Sequence, residues 1–383
     1  MTLADYDLAI CGAGPTGCTL ALLMARYSPN PMRIALIGRQ PQAQNAAMDP
    51  RALALNYGSQ QLLESISGWP AAAADIGTVH VSQKDYLGRT LITAADLAVP
   101  RLGAVVSYEA LIQQLQQAIA RTEIHFIQVD TPAIAQPGAT VRIDLQEGKS
   151  ISALLAVQSD GQRPQGLSRG YDQQAVLATV RSSLPAQGWA FERFTKTGPF
   201  ALLPHPKSAE HYALIWCLPP EQALHMQALD EQQFEYALEQ VFGARLGRLT
   251  LASERFVFPL SLHAGRHLSA ERIVAIGNAA QTLHPVAGQG LNLGLRDVAQ
   301  LAHGLRSWLD QPSQDPTPLL RQFTQQRQPD RWLTVSVTDT LARLFTTGSS
   351  ALSHMLGLGL LSFDLCGAPR RLFTRHLLQG LRT

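Results

Sequence analysis

Leu8-Ala9-Ile10-Cys11-Gly12-Ala13-Gly14-Pro15-Thr16-Gly17 is a short apolar run that ends on three spaced glycines. Downstream, Leu20, Leu23, Met24 and Tyr27 recur at helical spacing, so the stretch reads as strand, tight turn and helix. In the pattern G-x-G-x-x-G the first glycine permits the turn, the second lets the backbone approach a pyrophosphate, and the third allows close helix packing. The free N–H groups of the helix start then face the anion. Gly12, Gly14 and Gly17 fit these roles, with Ala13, Pro15 and Thr16 completing the turn. A dinucleotide site is the expectation, and an ordinary structural turn is the plain alternative.

A second apolar run, Arg33 to Ile37, follows Pro29 and Pro31 at the distance a parallel second strand requires. Such a strand usually ends on Asp or Glu, which accepts a hydrogen bond from the adenosine ribose. Here Gly38-Arg39 stands in that place, and Gln40, Gln42 and Gln44 offer only amides. No carboxylate is expected nearby, which predicts reduced nucleotide affinity. An arginine at this point also fits the 2'-phosphate of NADP.

Farther on, Thr78 to Ser82 alternates like a strand and Tyr108 to Ala120 carries apolar residues at helix spacing. Thr140 to Leu145 and Ser152 to Val157 flank the turn at Glu147-Gly148-Lys149 as a hairpin would. Ala175 to Ser183, Trp189 to Thr195, Gly198 to Pro204 and His211 to Cys217 are short β-prone segments, an antiparallel pattern unlike the opening. Arg272 to Ile276 returns to a strand before a Gly-rich turn, and from Leu291 the chain reads helical almost to its end.

With 383 residues, 46% of them hydrophobic, the chain can bury a large core. A net charge of +2 with dispersed Lys and Arg leaves no footprint for nucleic acid. Cys11, Cys18, Cys217 and Cys366 form no C-x-x-C pair and read as reduced and mostly buried. The N-terminus lacks the basic and small-residue signature of a signal peptide, so a cytoplasmic location is expected. No window approaches the roughly 18 uninterrupted apolar residues needed to span a bilayer. The nearest is the run from Met355 to Leu361, and attachment to a membrane surface stays open.

The most informative stretch is Ile276-Gly277-Asn278-Ala279-Ala280-Gln281-Thr282-Leu283-His284-Pro285-Val286-Ala287-Gly288-Gln289-Gly290-Leu291-Asn292-Leu293-Gly294-Leu295-Arg296-Asp297-Val298. It resembles the second FAD motif of the flavin aromatic hydroxylases in its ubiquinone-pathway version, where Asn follows the Gly that most relatives continue with Asp. Asp49 to Leu55, Thr78 to Ser82 and Phe191-Glu192-Arg193-Phe194-Thr195-Lys196-Thr197-Gly198-Pro199 are similar to the 2-polyprenyl-6-methoxyphenol hydroxylase branch. The resemblance runs nearly end to end.

That resemblance implies an α/β fold: a Rossmann-like FAD domain of the para-hydroxybenzoate-hydroxylase type, an antiparallel substrate sheet and a helical C-terminal segment. The expected division is 1–75, 97–178 and 256–330 for FAD, 76–96 and 179–255 for substrate, and 331–383 for the C-terminal helices. It implies FAD as cofactor, NAD(P)H as reductant, O2 as co-substrate and hydroxylation of a polyprenylated phenol ring. Gly288, Gln289, Gly290, Leu291 and Asn292 lead into a helix whose positive end faces the flavin and favours negative charge there. Gly277 and Asn278 lie by the ribityl and pyrophosphate, Arg51 reaches the cofactor, Arg39 sits at the nucleotide end, and Pro285 lines the reactive face. Ser159-Asp160-Gly161 resembles the middle fingerprint, although Gln162-Arg163-Pro164-Gln165-Gly166 departs from the usual continuation.

Several residues carry a bland reading beside the functional one. His284 is a candidate to polarise a phenol, yet a histidine in such a turn is more often a structural hydrogen-bonding residue. His205 is weighed the same way. His263 and His267 lack a carboxylate at metal-motif spacing and read as surface residues; no metal site is expected. Trp189, Phe191, Phe194, Phe200, Tyr212 and Trp216 are pocket candidates, with ordinary core the commoner reading. From Asp330 the tail is apolar and interrupted by Arg331, Arg343, Arg370, Arg371, Arg375 and Arg382. Packing on the catalytic body competes there with docking on a membrane or on ubiquinone-synthesis proteins. The rival functions are a flavin hydroxylase of another aromatic and a catalytically silent scaffold of a quinone-synthesis assembly.

Overall fold

The expected opening forms in the computed structural model, which describes residues 4–39, 49–86, 88–130, 133–134 and 138–344. Strand β1 (Tyr6–Cys11) pairs in parallel with β2 (Ile34–Gly38) across helix α1 (Pro15–Tyr27), with Leu8 opposite Ile34. All five residues of β2 are buried, as a continuous apolar run covered on both faces should be. Strand β8 (His125–Gln128) extends the sheet beyond β2, and β11 (Ser150–Gln158) flanks β1 on the other side, both in parallel. The edge is completed by β19 (Ile273–Ala275) and β18 (Ser269–Ala270). The expected hairpin is β10 (Val141–Asp144) antiparallel to β11, with β9 (Ala133–Ile134) beyond it.

Helices α1, α3 (Tyr108–Ile119) and α6 (Gln289–Leu305) bury their apolar stripes in one core that includes Leu20, Met24, Leu111, Leu115 and Val298. A small sheet of β3 (Ala52–Asn56), β7 (Gly103–Ser107) and β4 (Ala74–Ile76), with α2 (Tyr57–Ser65) after β3, adjoins the second large sheet. That sheet has nine strands. Their order is β20 (Gln281–Thr282), β17 (Phe256–Gly265), β12 (Gly166–Ser182), β15 (Ser208–Leu218), β14 (Pro199–His205), β13 (Trp189–Phe194), β5 (Thr78–Gln83) and β6 (Arg89–Thr93), with β16 (Leu249–Leu251) on β12. Only the β13–β5 pairing is parallel. Because β12 and β17 belong to this sheet, it includes residues on both sides of the expected boundaries at 178 and 256.

The two faces of this sheet differ sharply in side-chain size. Successive residues of a strand point to opposite faces. Phe191, Phe200, Tyr212 and Trp216 therefore share one face with Leu202 and Leu214, and they form a core with Phe234 and Phe242 of α5 (Glu231–Phe242). Helix α4 (Pro220–Ala228) adds Ala223 to that core. By the pairing register, the opposite face carries Ala175, Ala190, Ala201 and Ala213. Alternation assigns most of the expected pocket aromatics to core.

Helix α7 (Thr317–Leu344) runs 28 residues through Pro329. The basic tail reading needs a correction at its start: Arg331 is fully buried and donates to Gln281 Oε1 and to the carbonyl oxygens of Gly265 and Ala280. Met355–Leu361, Cys366, Arg370, Arg371, Arg375 and Arg382 lie outside the described residues. Cys11, Cys18 and Cys217 are free and buried. His263 is a second correction. It is 7% exposed, because both faces of β17 are covered from Leu262 to Gly265, and its Nδ1 lies 3.1 Å from Ser168 Oγ. His267 is exposed, as expected.

Candidate functional site

The first glycine turn joins the ends of β1 and β11. A Cβ on Gly17 would lie 1.9 Å from Gly12 O, so α1 can approach the turn this closely only with glycine there. Ser159 Oγ donates at 3.1 Å to Cys11 O and to Gly12 O, fixing the strand ends. Gly14 caps α1 without any side-chain hydrogen bond, and nothing stands within 4 Å of where its Cβ would be. The N–H groups at the start of α1 are thus bare toward open space.

At the end of β2, Arg39 Nε lies 3.1 Å from Asp130 Oδ1. This corrects the expectation that no carboxylate stands near Gly38-Arg39. Asp130 follows β8, whose Gln128 pairs with Gly38, so a neighbouring strand brings the acid that β2 lacks. Spacing along one strand carries no sign of it.

The second turn is built differently. Gly288 adopts φ 59° and ψ 29°, a left-handed conformation that favours glycine, and it caps α6 without a side-chain bond. Nothing lies within 4 Å of a Cβ on Gly290. Asn292, buried, ties this helix start down: Oδ1 accepts from Asn56 N and Ser59 Oγ, and Nδ2 donates to Ala54 O and Gly288 O. Its side chain is fully committed within the protein, leaving its backbone for a ligand.

Beneath the turn lies a buried ionic network. Asp297, fully buried, accepts from Arg327 Nε at 2.8 Å, Gln281 Nε2 at 2.8 Å and Gly277 N at 3.4 Å. Asp330 accepts from Arg327 Nη1 and Arg296 Nη1. Three arginines (Arg296, Arg327, Arg331) face two aspartates, a balance of one positive charge. The Arg296 guanidinium also reaches Gln289 Oε1 at 3.4 Å. Gly277 and Gly294 press on Thr16, locking the second turn against α1.

Pro285 is half-buried on the wall of the space between the turns. His284 lies behind it, fully buried: Nδ1 accepts from Val286 N at 3.2 Å and Nε2 lies 3.1 Å from Gln173 Oε1. Burial, partly opposed by Asp339, pushes the His284 imidazolium down to about 4, so the ring is neutral at pH 7. The two bonds assign its proton to Nε2. His205, also lowered to about 4 chiefly by burial, lies at the far end of β14 and does not line the space.

A single cavity of about 1130 Å³ joins these parts. One end of it holds Gly12 to Thr16, Arg39, Asp130, Asp160 and Asn278, and the other holds Pro285, Gly288 to Asn292 and the alanine-rich sheet face. Gly17, Gly277 and His284 support the walls from behind. Arg51 lines the middle, paired with Asp49 Oδ2 at 2.6 Å and stacked 4.1 Å over the Tyr108 ring. Burial raises the Asp160 carboxyl, which accepts from Gln162 N. The volume exceeds the roughly 300–1,000 Å³ of most small-ligand pockets. Two bare helix starts and two glycines facing open space suit an extended ligand with anionic groups, which FAD is.

Sequence reasoning missed Glu192 as well as Asp130. Glu192 stands on β13 among the alanines of the cavity face, and burial alone pushes its carboxyl up to about 8.

Residues 5–338 match the family described as FAD binding domain. The chain is 32% identical to a protein of Rhodospirillum rubrum named ubiquinone hydroxylase UbiL, over 98% of this chain and 90% of that one. It is 27% identical to 3-demethoxyubiquinol 3-hydroxylase of Escherichia coli, over 99% of this chain and all of the relative. Among solved structures, PqsL of Pseudomonas aeruginosa, described as a probable FAD-dependent monooxygenase, superposes with a TM-score of 0.72 at 16% identity, covering 93% of this chain and 99% of the other. HpxO of Klebsiella pneumoniae, solved with FAD and uric acid, gives 0.70 at 15% identity, covering 97% and 96%.

Proposed function

The chain belongs to the family defined by the FAD binding domain, and from that premise we propose that it hydroxylates the ring of a polyprenylated methoxyphenol in ubiquinone biosynthesis. One observation carries the reading: both glycine turns and a small-residue, apolar sheet face border the same cavity, so a cofactor and a flat ring can meet there. The ubiquinone hydroxylases it is similar to support the substrate class.

FAD, once reduced by NAD(P)H, supplies the activated oxygen from O2 that a ring receives. The chain's own tasks are binding, orientation and exclusion of water. Gly12, Ala13, Gly14, Pro15 and Thr16 would hold the pyrophosphate on the bare start of α1, with Asp160 and Asn278 beside it. Asp130 would accept from the adenosine ribose, and Arg39 would orient Asp130. Gly288, Gln289, Gly290, Leu291 and Asn292 would present backbone N–H groups and the positive end of α6 to the ring system, and the buried cationic network adds to that field. Pro285 would form the wall over which the substrate ring lies, and His284, bonded on both nitrogens, would set the position of that wall.

The same reading assigns residues 1–75, 97–178 and 256–330 to FAD, 76–96 and 179–255 to substrate, and 331–383 to a C-terminal unit. Among the described residues no helix is long and apolar enough to cross a membrane. The apolar and basic sequence after Leu344 would bring the enzyme to a membrane surface or to other ubiquinone-synthesis proteins, where long prenyl substrates reside.

The test is the visible spectrum of the purified protein with an FAD titration, followed by NAD(P)H oxidation with methoxyphenols bearing or lacking a prenyl tail. Stoichiometric flavin and a product one oxygen atom heavier, formed faster from the prenylated ring, are expected. Turnover of the tailless phenol alone would remove the ubiquinone assignment. Failure to bind at saturating FAD would leave the silent scaffold.

A further inference from the structure

Among the described residues, Glu192 is the one charged side chain of the nine-stranded sheet that lines the cavity. The pairing register sets Val81 beside it on β5 and Ala201 on β14, with Ile215 and Leu177 next across the sheet. None of these offers a polar partner. Two residues along β13 and on the same face, Phe194 clusters with Val286, next to Pro285. Glu192 thus stands about 7 Å along the strand from the residue that touches the flavin-side turn. It lines the same cavity as Pro285, Gly288 and Gly290.

Resting on the reading that the substrate is a phenol, we propose that Glu192 is a catalytic residue that receives the phenolic proton of the bound ring. The phenol O–H bond breaks, its electron pair stays on oxygen and feeds the ring, and the proton ends on a carboxylate oxygen of Glu192. Nothing is oxidised or reduced in this step. The added density at the ring carbons is what an electrophilic oxygen needs, and the proton returns when the hydroxylated product leaves.

An ordinary glutamate near 4.3 is a poor base for a phenol near 10. Burial closes much of that gap by pushing Glu192 up to about 8. Because the active form is the carboxylate, the proton-accepting fraction grows as pH rises toward 8. Neighbouring groups leave this behaviour to Glu192 alone. Cys217, on the same face of β15, is held as a thiol by burial and by the Glu192 charge. His284, behind the facing turn, is neutral above about 4. Arg89, Arg193 and Arg245 gather around His80 on the opposite face.

The test uses FAD-loaded protein with 2-geranyl-6-methoxyphenol and its O-methyl ether as probes. For the wild type, kcat should rise with pH through a midpoint near 8 and level off about one unit above it. Glu192→Gln should lose that limb and fall about 100-fold in kcat with KM changed less than about threefold, a size expected for general-base catalysis. Glu192→Asp should recover part of the rate. The ultraviolet spectrum of the bound phenol should show its ionisation displaced downward in Glu192→Gln, because the neighbouring carboxylate charge that opposes a second anion is gone, a readout that a merely structural role would not move. Should the glutamine variant fail to fold, the ether tests the same step in the wild type, since it has no proton to give and should react about 100-fold more slowly than the phenol. Wild-type turnover with an unchanged pH profile in Glu192→Gln, or an ether hydroxylated as fast as the phenol, would overturn the proposal while sparing the hydroxylase reading. A wild type that turns over neither probe would instead sink the phenol reading, and this proposal with it.

Discussion

The two glycine-rich turns meet at one cavity, but they are held in place by different means. The first is fixed by backbone contact: Gly17 packs on Gly12 O, and Ser159 clips the ends of β1 and β11. The second is fixed by side chains from far along the chain, namely Asn292 against Asn56 and Ser59, and Asp297 against Gln281 and Arg327. A turn held by backbone packing tolerates no added atom. A turn held by a buried polar network instead depends on every partner being present, because an orphaned charge in a low dielectric is costly.

The largest expected effect therefore comes from the network. Asp297→Ala leaves Arg327 Nε, Gln281 Nε2 and Gly277 N without their acceptor and should cost about 3–5 kcal/mol of stability, read by urea unfolding. A loss below about 1 kcal/mol would mean that the network is not what holds the second turn. Next is Gly290→Glu, which places a carboxylate in the open space before α6. FAD affinity should drop by at least about 100-fold with the fold intact, since the cavity offers that position room but no partner. Wild-type flavin content would refute the placement of the ring system. Asn292→Ala comes third: it strands two buried donors and two carbonyls, for about 1–3 kcal/mol by the same unfolding assay. A change near zero would show that α6 starts correctly without that amide.

These differences track what the sequence made legible. The first turn was readable because its parts are adjacent: strand, glycines and helix fall within Leu8 to Tyr27. The second turn was readable as a string, but its support was not. Arg327, Asp330 and Arg331 lie some 30 to 50 residues downstream of their partners, and the last two read as the start of a basic amphipathic tail, until α7 folds back and buries all three. The sheet shows the same limit. Its strands were visible from alternation, whereas the sorting of Phe191 to core and Glu192 to cavity depends on which face α4 and α5 cover. His263 was misjudged as well, since nothing beside it in the sequence tells that both faces of β17 are covered there.

His284 is neutral and buried behind the second turn, with its ionisation depressed from about 6.5 to about 4 by burial. A depressed value means the unfolded chain binds the proton more readily. The stability from the neutral ring is thus complete above about 6.5 and lost as pH falls toward 4. His80 and His205 shift in the same direction and contribute to the same limb. Replacing His284 by Asn should flatten that limb by about 1–2 kcal/mol between pH 7 and pH 4.5. An acid limb identical to wild type would show that His284 is not held neutral.

The smallest effect belongs to the proposed nucleotide end, where Asp130 would stand in for the acid that β2 lacks. Arg39 and Asp130 are 68% and 62% exposed at the side chain, so their ion pair should add almost nothing to folding. Its value would be to hold a carboxylate where a ribose hydroxyl can reach it. Asp130→Ala should leave the melting temperature unchanged and weaken FAD binding about three- to tenfold, the loss of one charge-assisted hydrogen bond. FMN lacks the adenosine half, so its affinity should not move in the variant. An equal loss for FAD and FMN would place the effect at the ring end and return the nucleotide end to recognition by the first glycine turn alone.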